Sequence, residues 1–121
     1  KKVILILDNP SLLDPTVCIP RTSGNSSLDY FIFTEKVPVG CEITLKEHLA
    51  HTLRYREIFE KLASLNSEHV VVYDMLPHLC DDRGVCAISK EGKRLYSYSD
   101  HISNFSAENM GSEINRMLES R

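Results

Sequence analysis

Val3-Ile4-Leu5-Ile6-Leu7, closed by Asp8-Asn9-Pro10, is an apolar run without a polar interruption. A strand wet on one side alternates apolar and polar residues; a continuous run is what a strand buried on both faces of a parallel sheet shows. His69-Val70-Val71-Val72-Tyr73, ended by Asp74 and then Pro77, repeats the pattern. Between the two runs, Thr44-Leu45-Lys46-Glu47 forms a capping box, a hydroxyl and a carboxylate placed to satisfy orphan N–H groups. Leu45, Leu49, Ile58, Leu62 and Leu65, with Ala50, Leu53 and Phe59 alongside, then follow helical spacing. Strand, helix, strand implies a right-handed βαβ unit. Two such strands cannot cover themselves.

Outward from this unit the chain is less periodic. Residues 8–43 form a long stretch limited by Pro10, Pro15, Pro20 and Pro38, and a loop of that length is usually functional or tied down. Lys90-Glu91-Gly92-Lys93 predicts a hairpin with glycine in the turn. Ser103 reads as the N-cap of a closing helix, with Ala107, Met110, Ile114, Met117 and Leu118 as its buried stripe. Arg116 and Arg121 sit near its C-terminal end. No repeat or linker divides the 121 residues.

Composition excludes several classes of function. With 14 Lys plus Arg against 17 Asp plus Glu, the net charge of −3 offers no basic field for nucleic acid or an anionic membrane. The longest apolar run is far below the roughly 20 residues of a membrane span. Cys18, Cys41, Cys80 and Cys86 permit three pairings. Spacing favours Cys18–Cys41, closing the long loop, and Cys80–Cys86, flanking Asp81-Asp82-Arg83-Gly84-Val85. A zinc site or four unrelated buried thiols are the alternatives, although no CxxC pair is present. Two disulfides would mean an oxidising compartment. The chain opens on Lys1-Lys2 without a signal peptide, which suggests a piece of something longer.

Tyr96-Ser97-Tyr98-Ser99-Asp100-His101-Ile102-Ser103 is where chemistry is best placed. It puts an imidazole on a loop after a hairpin and before a helix, where a general base can reach substrate. A histidine at a helix entry that bonds a backbone carbonyl is the plainer reading. His101 and Asp100 are therefore the candidate catalytic residues, and Tyr96 and Tyr98 the candidate substrate contacts. His48 and His51, three apart on the long helix, could chelate a metal, but no carboxylate joins them and an exposed helical face explains both. No metal and no cofactor is expected. His78, beside Pro77 and Cys80, reads as structural. Asn25-Ser26-Ser27 and Asn104-Phe105-Ser106 match glycosylation sequons of low specificity. Tyr30, Phe31 and Phe33 could line a sugar cleft or simply anchor the loop.

Taken in order along the chain, these motifs resemble the C-terminal part of an SGNH domain. The similarity is greatest to the extracytoplasmic SGNH domains fused to acyltransferase-3 membrane proteins, the O-antigen acetylase-like O-acyltransferases. It is carried by residues 3–7 with Pro10, Cys18-Ile19-Pro20-Arg21, Val70-Val71-Val72-Tyr73-Asp74 into Pro77-His78-Leu79-Cys80, Cys86, Gly92, Leu95-Tyr96 and Asp100-His101-Ile102-Ser103.

The resemblance implies an α/β architecture, part of a flavodoxin-like SGNH fold. It would consist of parallel strands with a crossover helix, a long disulfide-tied loop, a small hairpin and a closing C-terminal helix, with residues 1–121 forming a single partial domain. It implies an acyl group delivered by an attached membrane domain and transferred to a hydroxyl of a cell-surface polysaccharide such as lipopolysaccharide O-antigen. His101 would be the general base, on the periplasmic face of the bacterial inner membrane. The family's Gly-Asp-Ser nucleophile block and its oxyanion-hole residues would precede Lys1; Ser23-Gly24-Asn25 follows no apolar strand and is read as a chance match. The isolated chain is therefore expected to be inactive, and to self-associate through its uncovered sheet.

The family's last block carries its acid three residues before the histidine, where this chain has Tyr98. Asp100 is adjacent to His101, and neighbours in an extended segment point to opposite sides unless the loop turns. A non-catalytic glycan-binding or interaction module, and a simple SGNH esterase, are the contrasting readings.

Overall fold

Strand β1 (Val3–Ile6) lies parallel to a second strand, Val70–Tyr73, in register from Val3 opposite Val70 to Ile6 opposite Tyr73. This pair anchors the computed structural model, which describes residues 1–18 and 38–119. Tyr30, Phe31, Phe33, Ser23-Gly24-Asn25, the sequon at Asn25 and Arg121 lie outside the described residues.

After β1 come a single helical turn, α1 (Pro15–Cys18), a short strand, β2 (Glu42–Thr44), and the crossover helix α2 (Leu45–Leu65). The capping expectation holds for α2: Thr44 Oγ1 accepts the Glu47 N–H at 3.1 Å. The parallel partner, Val70–Tyr73, is β3. Next are α3 (Leu76–Leu79), β4 (Val85–Ala87), β5 (Ser89–Lys90), β6 (Lys93–Arg94), β7 (Tyr96–Tyr98), β8 (His101–Ile102) and the closing helix α4 (Asn104–Glu119). β2 pairs antiparallel with β4, β5 with β6, and β7 with β8. The fold is a mixed α/β one, consistent with an SGNH-like architecture.

Local chemistry explains the joints. Glu91 and Gly92 both have positive φ, 51° and 74°, which is the backbone twist a two-residue type I′ hairpin needs. Ser103 caps α4 by accepting the Ser106 N–H, and its own hydroxyl donates to the Arg94 carbonyl at 2.7 Å. Both disulfides form, Cys18–Cys41 and Cys80–Cys86. Within the second, the Asp81 carboxylate accepts the N–H groups of Arg83 and Val85, so the enclosed turn is organised by its own acid.

The core gathers Leu12, Tyr73, Leu76, Leu79, Ile88, Leu95, Tyr96 and Met110 around the buried disulfide Cys80–Cys86. Three expectations are corrected. First, α2 does not present its leucines uniformly to the core. Leu45 and Leu49 pack there, but Leu53, Ile58, Leu62 and Leu65 are exposed. The most deeply buried side chains of α2 are instead the polar His48 and Arg56. Their i, i+8 spacing puts them on one side of a 3.6-residue helix, whereas Ile58, Leu62 and Leu65 form a second stripe. Second, β1 is not covered on both faces, since Val3 and Ile6 remain about half exposed. Third, in α4 Met110 is buried and Ile114 and Met117 pack against the core, while Ala107 and Leu118 are exposed.

Candidate functional site

The parallel pair ends at Leu7-Asp8-Asn9 on one strand and Asp74 on the other. In open α/β sheets the carboxyl ends of the strands are where ligands bind. The loop after β1 reaches from there to the turn preceding His101. The Asn9 side-chain amide donates to the Asp100 carbonyl at 2.9 Å, and the Leu12 N–H donates to the Ser99 carbonyl at 3.1 Å. The Asp8 N–H donates in turn to the Tyr55 hydroxyl.

The turn itself is Ser99-Asp100, joining β7 to β8. Tyr96 pairs with Ile102 and Tyr98 with His101, so three residues of β7 oppose two of β8. Ser97 is the extra one, a β-bulge, and its hydroxyl lies 3.3 Å from the carbonyls of both His101 and Ile102. Without the bulge, residues two apart on a strand would share a face. With it, Tyr96 is fully buried and Tyr98 is 59% exposed. The bulge re-aims one tyrosine out of the core and stands it beside the imidazole, ring centroids 6.2 Å apart at 63°.

Of the predicted site residues, His101, Asp100 and Tyr98 are therefore brought together, and Tyr96 is not. Tyr96 is buried in the core, and burial raises its phenol well above the usual tyrosine range.

The loop does turn far enough for Asp100 to meet His101, with Oδ1 3.5 Å from Nε2. The same carboxylate oxygen accepts the Ser99 hydroxyl at 3.2 Å. In a Ser–His–acid arrangement the acid holds Nδ1 and leaves Nε2 for the nucleophile. Asp100 lies at the opposite nitrogen. It does not stand where an orienting acid would. Both side chains are open to solvent, His101 at 72% and Asp100 at 57%.

A second polar group lies beneath the carboxyl end of β3, and sequence reasoning missed it. Arg56 grips Asp74 through both guanidinium NH groups, and Asp74 also accepts the Leu76 N–H. Burial tends to raise the Asp74 carboxyl, but these hydrogen bonds prevail and hold it below the usual range. The available signal was an acid directly after a strand. Its partner 18 residues upstream on a helix carried no motif.

His48 is buried, which corrects the expectation of an exposed face, and burial lowers its pKa against a smaller opposing effect of the Asp8 backbone. His51 is exposed. The two histidines thus do not share a site, and no metal-binding group of three side chains occurs among the described residues. His78 stands at the junction of two helices. It meets Glu113 Oε2 at 3.0 Å, the same oxygen that accepts the Tyr73 hydroxyl, and so links α3 to α4. Burial, then Glu113, pushes the Tyr73 phenol up to about 12.

An open apolar cleft of about 360 Å³ lies between Ile6, Leu7, Asp8, Tyr55, Phe59 and Met75. None of its walls comes from residues 98–101, so it is separate from the imidazole.

The family model described as SGNH domain (fused to AT3 domains) matches residues 1–116. The chain belongs to this family. No curated protein and no solved structure matches it significantly. Membership makes this SGNH domain an acyltransferase-associated module, and the two disulfides suit an extracellular setting. Among the described residues of the SGNH domain, no helix is long and apolar enough to cross a membrane.

Proposed function

We propose that this SGNH domain is the acceptor-side part of a membrane-tethered O-acyltransferase. It transfers an acetyl or other acyl group to a hydroxyl of a cell-surface polysaccharide such as lipopolysaccharide O-antigen, on the periplasmic side of the inner membrane. The observation that carries the proposal is the solvent-open imidazole of His101, held at the carboxyl-end edge of the parallel pair by the loop after β1. His101 Nε2 takes the proton of the attacking hydroxyl as its oxygen bonds to the acyl carbonyl carbon, and returns it to the leaving group when the tetrahedral intermediate collapses. Asp100 must move off Nε2 for this to occur. Tyr98 offers its ring face to a sugar.

The test is O-acetyl content of the polysaccharide, measured by NMR, in cells carrying the acyltransferase-3 fusion with this domain. His101→Ala is expected to lower transfer at least hundredfold with protein level unchanged. Undiminished transfer would exclude His101 as the base.

One observation favours a second reading. Asp100 occupies the imidazole nitrogen that chemistry would use, which suits a module that only binds glycan. In that case Tyr98→Ala weakens polysaccharide binding while His101→Ala leaves transfer intact.

A further inference from the structure

We infer that Asn9 is a positioning residue for His101, acting through the Ser99-Asp100 turn. The inference rests on the reading of His101 as general base, and the geometry that supports it is independent of that reading. Within the hairpin, the Tyr98–His101 pairing and the Ser97 hydroxyl set the register of β7 and β8, but both strands are short and His101, Tyr98 and Asp100 are exposed, so the turn has little packing of its own to hold it. The constraint comes from a segment 91 residues earlier. Asn9 Nδ2 donates to the Asp100 carbonyl at 2.9 Å and to the Pro10 carbonyl at 3.2 Å. A single NH₂ group thereby joins the loop after β1 to the residue next to the imidazole.

The neighbouring tie, Leu12 N–H to Ser99 carbonyl, uses backbone only, and Leu12 is itself buried in the core. That tie fixes the base of the turn at Ser99. The Ser99 hydroxyl and His101 meet only the Asp100 carboxylate; among the described residues Asn9 is the side chain that holds the Asp100 backbone, and through the next peptide bond it sets the direction from which His101 leaves the turn. An amide suits the position because it donates without adding charge. An aspartate of the same shape would set an acceptor against the Asp100 carbonyl and a negative charge close to the Asp100 carboxylate.

The role predicts a precise pattern. A base displaced by about 1 Å can lose on the order of 100-fold in rate while substrate binding is kept. The tests are Asn9→Asp, which keeps the shape and removes the donor, Asn9→Ala, and Asn9→Gln, which keeps a donor one methylene further out. Backbone amide relaxation of Ser99, Asp100 and His101 and the His101 ring signals are recorded by NMR on the 121-residue chain, with the remaining spectrum as the check on fold. The fusion protein supplies kcat and KM.

The expected result is loss of order confined to residues 99–101 in Asn9→Asp and Asn9→Ala. With it should come a tenfold or greater fall in kcat at near-constant KM, and partial recovery of both in Asn9→Gln. Unchanged order at 99–101 in Asn9→Asp would overturn the positioning role, whatever the activity. Lost order with undiminished kcat would leave the clamp in place and overturn the assignment of His101 as base.

Discussion

Arg56 and Asp74 form two parallel hydrogen bonds, 2.9 and 3.2 Å long, beneath the carboxyl end of β3. The guanidinium is buried, with its side chain 9% exposed, and the carboxylate is 39% exposed. Among the described residues, Arg56 Nε completes no hydrogen bond. A cation in that position depends on the one acid that meets it. Asp74→Ala is expected to cost about 3 kcal/mol, the low end for breaking a buried pair because Asp74 is partly solvated. Urea denaturation of the two proteins measures this directly, and a loss below about 1 kcal/mol would show that the pair is a surface one in solution.

His48 sets a pH dependence. Burial lowers its pKa below the ordinary value, so the folded state favours the neutral imidazole more than the unfolded chain does. The unfolded chain therefore takes up the proton first as pH falls below about 6.5. The stabilisation is complete above that pH and is lost progressively below it. Chemical denaturation at pH 7, 6 and 5 should show falling stability with a slope that shrinks in His48→Leu. Identical slopes in both proteins would exclude His48 as the titrating group.

Cys18–Cys41 closes a separation of 23 residues and Cys80–Cys86 one of 6. Loop-closure entropy assigns the two about 3.4 and about 2.4 kcal/mol respectively. The order is expected to narrow experimentally, because both halves of Cys80–Cys86 are buried whereas in the other bridge Cys41 is buried and Cys18 only partly, so replacing the shorter bridge disrupts more packing. Paired Cys→Ala variants, compared by denaturant midpoint, report each bridge separately.

The uncovered apolar side chains predict association. Val3 and Ile6 on β1, and Ile58, Leu62 and Leu65 on α2, are exposed, and in register order β1 pairs with β3 alone among the described strands. Such an edge invites a second chain. Sedimentation equilibrium across a tenfold concentration range should show self-association of the purified chain, reduced in the double variant Ile58→Glu, Leu62→Lys. A monomer at every concentration would contradict this.

Much of the fold is written locally, and that part was legible. Two continuous apolar runs gave the parallel pair, one capping box gave the start of α2, and a Glu-Gly pair gave the hairpin. The spacing of four cysteines gave both bridges. What escaped reading depends on contacts between residues far apart. His48 and Arg56 belong to an inward face because Asp74 waits at the end of β3, and no periodicity of apolar residues marks that. Tyr96 and Tyr98 look equivalent in sequence, two apart in one strand, and a bulge of a single residue sends them to opposite fates. Asn9 carried no motif, since its partner is a backbone carbonyl 91 residues away. His101 was legible as a site because its segment joins a hairpin to a helix, yet the side from which Asp100 approaches it depends on the turn.

Ser103 has a mechanical consequence. Its N–H bonds the Leu95 carbonyl at 2.8 Å, its hydroxyl bonds the Arg94 carbonyl, and it accepts the Ser106 N–H. It is the pivot of a rod 16 residues and about 24 Å long, and His101 lies only two residues from it. A sideways push of about 2 Å at Glu119 tilts that rod by about 5°, given its length. At the hinge the displacement is a small fraction of an ångström. The far end of α4, itself held by Glu113 on His78 and by the packing of Ile114 and Met117, therefore passes little displacement to the imidazole.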